Sequence, residues 1–72
     1  MEDFDLTIAL NSGQLPAKIH PHEEGDKTWY DILFEDYTIS IYKDTPYTWT
    51  SNDPHGLDRA DIQSIGEQID NR

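Results

Sequence analysis

The chain has 72 residues, no cysteine, and 15 acidic against 5 basic side chains, for a formal charge of -10. That length holds one domain with one modest core, burying about 60% of its unfolded surface, and without thiols there is no disulfide, thiolate metal site or cysteine nucleophile. The charge excludes direct nucleic-acid binding, which needs cations to displace counterions from phosphates, and adhesion to anionic membranes; it permits a basic partner.

The first segment alternates. Phe4, Leu6, Ile8 and Leu10 are separated by Asp5, Thr7 and Ala9, the period of two of a half-buried strand. Asn11-Ser12-Gly13-Gln14 is a turn by composition. Leu15, Ala17 and Ile19 resume the alternation, with Lys18 and His20 on the opposite face. Pro16 and Pro21 offer no amide donor, so this second strand is expected at an edge, or bulged near its ends.

His22-Glu23-Glu24-Gly25-Asp26-Lys27 reads as a hairpin loop. Thr28 to Glu35 is the strongest strand, with Tyr30, Ile32 and Phe34 on one face and Trp29, Asp31 and Leu33 on the other. Glu35-Asp36 must turn tightly, because Tyr37 to Tyr42 alternates again: Tyr37, Ile39 and Ile41 against Thr38, Ser40 and Tyr42. After the Lys43-Asp44-Thr45-Pro46 turn, Tyr47 to Thr50 forms a short last strand, and Ser51 to Gly56 is a loop.

The helix is announced by its start. Asp58 is an N-cap, Asp61 lies three residues on where a capping box places an acid, and Leu57 with Ile62 can close a hydrophobic staple. The helix runs from about Arg59 to Asp70, with Ile62, Ile65 and Ile69 as one apolar stripe. Gly66 on that stripe weakens the helix by about 1 kcal/mol relative to alanine, a loss explained if helix and sheet approach closely there.

Short connections favour antiparallel neighbours, since a parallel pair needs a long crossover. The expected fold is therefore α+β: an antiparallel meander of four to five strands with one C-terminal helix packed on one face, a single domain over 1–72. The core combines the helical stripe with Phe4, Leu6, Ile8, Leu10, Leu15, Ala17, Ile19, Tyr30, Ile32, Phe34, Tyr37, Ile39 and Ile41. One helix cannot cover a wide sheet, so strong twist, or edge aromatics such as Tyr47 and Trp49, must close its ends.

Few residues carry chemistry. His20 and His22 share a strand face and precede Glu23 and Glu24; with His55 as a distant third ligand they are the candidate metal set. Pro21 between them disturbs the strand, so two surface histidines are the simpler reading. Asp53-Pro54-His55-Gly56 pairs an acid with a base but is first a turn. No serine lies in a Gly-x-Ser-x-Gly setting, and no glycine-rich phosphate loop occurs. No catalytic set and no cofactor are expected.

The outer sheet face is more informative. Trp29, Leu33 and Tyr42 share it with Lys18, Asp31, Thr7, His20, Thr38 and Ser40, and no segment remains to cover it. Exposed aromatics ringed by polar groups suit a protein partner or a second copy of the chain; the same residues would also serve as cross-strand pairs. Apolar runs of only a few residues fall short of the roughly 20 a membrane span needs. The acidic start, Glu2-Asp3-Phe4-Asp5, lacks the basic region of a secretory signal. A cytoplasmic location is expected.

Three stretches, Trp29-Tyr30-Asp31-Ile32, Tyr47-Thr48-Trp49 and Ile62-Gln63-Ser64-Ile65-Gly66-Glu67-Gln68-Ile69, carry a resemblance. In this order they resemble short uncharacterised bacterial proteins of the Bacteroidetes type, which join an aromatic-rich β-meander to a C-terminal helix with an Ile-Gly motif. The resemblance implies the same fold and no activity. The expected function is a non-enzymatic protein-interaction module using the aromatic face. The alternatives are an acidic, nucleic-acid-mimicking inhibitor of a basic protein site and a histidine-based metal binder. One consequence of the charge is independent of these readings. Added salt screens repulsion among the acids, so the melting temperature followed by circular dichroism should rise with sodium chloride; a flat response would mean the charges are already paired or widely spaced.

Overall fold

In the computed structural model, residues 2–52 and 56–72 are described. Strands β1 (Phe4–Leu10), β2 (Gly13–Glu24), β3 (Lys27–Leu33), β4 (Thr38–Thr45) and β5 (Thr48–Ser51) precede helix α1 (Arg59–Asp70). The strands form one antiparallel sheet in sequential order, β1 to β5, so the expected α+β meander with one C-terminal helix is the observed architecture.

The turns are tighter than their composition suggests. Leu10 pairs with Gly13, leaving only Asn11-Ser12 in the first turn. Glu24 pairs with Lys27, so most of the polar His22–Lys27 segment is strand, and the chain reverses at Gly25-Asp26. Gly25 supplies the positive φ (67°) that a two-residue hairpin turn demands. Between β3 and β4 the Phe34 N–H donates to the Tyr37 carbonyl at 2.9 Å, closing the turn expected at Glu35-Asp36.

β2 corrects one expectation. It is an interior strand, yet it contains both prolines. The register explains how: residues 13–17 pair with β1 only, residues 20–24 with β3 only, and Lys18 and Ile19 with both. The Ala9 N–H and C=O point away from β2, because both bond to a helix side chain. Backbone groups alternate along a strand, so Phe4, Leu6 and Ile8 bond toward β2, and the odd residues of β2 bond toward β1. Pro21 then aims its nitrogen at the β1 side, beyond the β1 start at Phe4, and Pro16 aims its own at the β3 side, beyond the β3 end at Leu33. Each proline thus removes a donor where no strand would receive it.

The inner face carries the core: Ile8, Ala17, Ile19, Ile32, Ile39, Ile41 and Trp49 from the strands, Phe34 from the turn after β3, and Ile62, Ile65 and Ile69 from the helix. Phe4, Leu6, Leu10, Leu15, Tyr30 and Tyr37 are half-buried against it. The helix starts as expected. Asp61 N–H donates to Asp58 Oδ1 at 2.9 Å, and Asp58 N–H to Asp61 Oδ2 at 3.4 Å, which is a capping box. Leu57 joins the core beside Ile62.

α1 lies nearest β1, β5 and β4. The sheet therefore curls until its two outer strands flank the helix. Two glutamines fasten it. Gln63 accepts from the Trp49 N–H (2.9 Å) and donates to the Tyr47 carbonyl (2.8 Å) at the β5 edge. Gln68 accepts from the Ala9 N–H (2.8 Å) and donates to the Ala9 carbonyl (2.9 Å) at the β1 edge.

Trp49 departs from its expected place at the sheet end. It is only 2% exposed, whereas Tyr47 is 86% exposed. The Trp49 indole packs edge-on to Tyr30, ring centres 5.5 Å apart, and lies flat under the helix at Gly66. A Cβ on Gly66 would overlap the indole ring, so the glycine provides the close approach inferred from the stripe. Gly66→Ala should accordingly lower stability by about 1–3 kcal/mol through overpacking, against the gain in helix propensity. Urea denaturation will measure it, and a neutral or stabilising result would mean the helix stands off the sheet.

Candidate functional site

The outer face is built by strand alternation. Even-numbered residues of β2 and β4 and odd-numbered residues of β3 project from it, and the register sets them in rows: Lys18, Leu33 and Thr38; then His20, Asp31 and Ser40; then His22, Trp29 and Tyr42. All five residues expected to bind a partner, Trp29, Leu33, Tyr42, Lys18 and Asp31, lie in these three rows. Trp29, Tyr42 and Asp31 are half-buried, Lys18 is exposed, and Leu33 is 39% exposed.

The aromatic row is organised. Trp29 and Tyr42 are directly opposed and their rings meet at 4.6 Å with a 51° tilt. The Lys27 ammonium sits 4.3 Å from the centre of the Tyr42 ring. Such pairs contribute about 0.5–1.5 kcal/mol beyond the area they bury. Cross-strand stabilisation is therefore part of their role, and Trp29 remains at the surface.

The row beside it is polar and convergent. Asp31 Oδ1 accepts from Ser40 Oγ at 2.6 Å and from His22 Nε2 at 3.2 Å. The Ser40 carbonyl in turn accepts from Ser51 Oγ at 2.7 Å. His20 Nδ1 donates to Asp3 Oδ1 at 2.6 Å. The two imidazoles stack, centres 5.8 Å apart and 28° from parallel.

His22, Trp29, Asp31, Ser40, Thr38 and Asn52 line a shallow depression of about 770 Å³. Its floor offers an indole and a carboxylate whose Oδ1 is held by two donors. That combination can take a cationic side chain, by stacking on the indole and pairing with the carboxylate. The convergence of His22 and Ser40 on Asp31 escapes a reading along the chain, because it depends on the register across three strands. Their alternation onto one sheet face, even positions in β2 and β4 and odd in β3, is the signal of it.

His20 and His22 are the members of the candidate metal set that lie among the described residues. Among the described residues no group of three or more histidine, aspartate or glutamate side chains is placed to hold an ion. His20 and His22 are neighbours, but each faces a different aspartate. His55, with Asp53 and Pro54, lies outside the described residues. Among the described residues no helix is long and apolar enough to cross a membrane.

Titration of the protein with zinc or nickel ions in a calorimeter should give no saturable heat at micromolar protein. Heat that disappears in the His20→Ala, His22→Ala double variant would reinstate the metal-binding reading. Comparison with protein-family models, with curated proteins and with solved structures finds no match to this chain.

Proposed function

We propose that this chain is a non-enzymatic protein-interaction module of the cytoplasm that takes a protein partner on the outer face of its sheet. The observation that carries the reading is the uncovered row of Trp29 and Tyr42. The helix occupies the inner side between β1 and β5, and no described element packs over the outer one. Trp29 and Tyr42 act as rigid aromatic anchors, Leu33 and Lys18 extend the contact, and Asp31 pairs with a cation. A basic partner suits both Asp31 and the formal charge of -10.

The acidic-decoy alternative needs one coherent patch of carboxylates. Glu23 ends β2, Asp31 is on the outer face of β3, Asp44 is near the end of β4, and Asp61 and Asp70 occupy opposite ends of α1. Nine residues of helix separate the last two by about 13 Å. This spread favours the aromatic face over mimicry.

The test is a double substitution. Trp29→Ala with Tyr42→Ala should weaken capture of the partner from the source cell by at least about tenfold, as loss of hot-spot aromatics does. Circular dichroism should report the same fold, and Asp31→Asn should weaken capture less. A strictly monomeric chain, shown by sedimentation at two concentrations, whose captured proteins are unchanged by the double substitution would overturn the reading.

A further inference from the structure

The sheet has a second surface able to receive a partner, and it lies at the edge of β1. In a sheet edge the outward N–H and C=O groups of alternate residues form a ready template for one more strand. The structure already uses one rung of this template. The Gln68 side-chain amide pairs with both the N–H and the C=O of Ala9, as a backbone amide of a neighbouring strand would. By the alternation that fixes Ala9 outward, the N–H and C=O of Thr7 and Asp5 point the same way. No described residue bonds to them. The β5 edge differs: it has only four residues, and Gln63 holds it through Tyr47 and Trp49.

The side chains along β1 define what would fit. Asp5 and Thr7 are exposed on the outer face, with Glu2 and Asp3 exposed just upstream. On the inner face Leu6 is half-buried at the margin of the core, and the Phe4 ring is already covered by the Arg72 guanidinium, 3.8 Å from its centre. An incoming strand would alternate in the same way, placing one set of side chains beside Asp5 and the other beside Leu6. A second copy of this chain fits poorly. With the pairing groups of Ala9 already taken by Gln68, self-pairing must use the acidic half of β1, and each copy brings a formal charge of -10. Like charges directly across a strand pair destabilise it.

We infer that the Asp5–Thr7 edge of β1 binds an extended segment of a partner protein in which basic and apolar residues alternate. The segment adds a sixth strand, with its basic side chains beside Asp5 and its apolar ones covering Leu6. This surface is separate from the Trp29 and Tyr42 face.

The probe is a short peptide, acetylated and amidated, that alternates lysine with valine, titrated into isotopically labelled full-length protein. Saturable amide shifts centred on Asp5 and Thr7, with slowed hydrogen exchange at both, are expected. Thr7→Pro removes an outward donor and leaves the β1–β2 ladder intact; it should weaken binding at least tenfold. Asp5→Lys, which leaves the backbone unchanged, should do the same and serves if Thr7→Pro fails to fold. The Trp29→Ala, Tyr42→Ala double variant should bind the peptide as well as the unsubstituted chain, which separates this site from the outer face. Absent shifts, shifts centred on Trp29 and Asp31, equal binding of a glutamate–valine peptide, or a β1 edge already occupied in a concentration-dependent dimer would each overturn the inference.

Discussion

A pair of side-chain amides on one helix decides the shape of this molecule. Gln63 and Gln68 are separated by five residues, or about 140° round the helix axis, so they reach sideways in opposite directions. One grips β5 and the other β1. Flat, five strands would hold those edges about 19 Å apart, so the sheet has to curl for both to be reached. The helix becomes the stave that closes an incomplete barrel, with Ile62, Ile65 and Ile69 filling the interior. Gly66, between the two glutamines, lets the Trp49 indole lie against the helix backbone. Among the described residues no element covers the outer face, because the one helix is committed to the inside.

The same clamp bears on solubility. An exposed strand edge invites further pairing, and proteins blunt such edges with charge, proline or a covering element. All three occur here. Gln68 occupies the end of the β1 edge, Asp5 charges its middle, and the two prolines of β2 blank the stretches where that interior strand is locally unpartnered. The acids that would discourage a second copy are the ones that would favour the basic segment inferred above.

Much of the fold was legible because its signals were periodic. Alternation placed β1, β3 and β4 and assigned their faces, and Asp58, Asp61 and the isoleucine stripe located α1 from Arg59 to Asp70. What escaped lacked a period. Trp49 sits in a four-residue strand, too short for alternation to say which way it points, and Gly66 hinted only at a close approach of helix and sheet. Gln63 and Gln68 look like any solvated helix residues until the sheet edges are brought beside them. Proline rules gave an edge strand, and the strand is interior; the rule holds residue by residue, since each ring faces an unpaired side. Trp29, Leu33 and Tyr42 were placed on the outer face by parity, whereas the meeting of His22, Ser40 and Asp31 required the register.

Every rung of the sheet joins segments adjacent in sequence, while the Gln68 grip on Ala9 spans 59 positions. Local pairings form at small entropic cost, and distant ones await the closure of a long loop. The meander can therefore zip hairpin by hairpin, but the join that turns a ribbon into a closed vessel comes last. By the same token it is the seam at which thermal opening begins, and the amides of β1 will report that opening before those of β3.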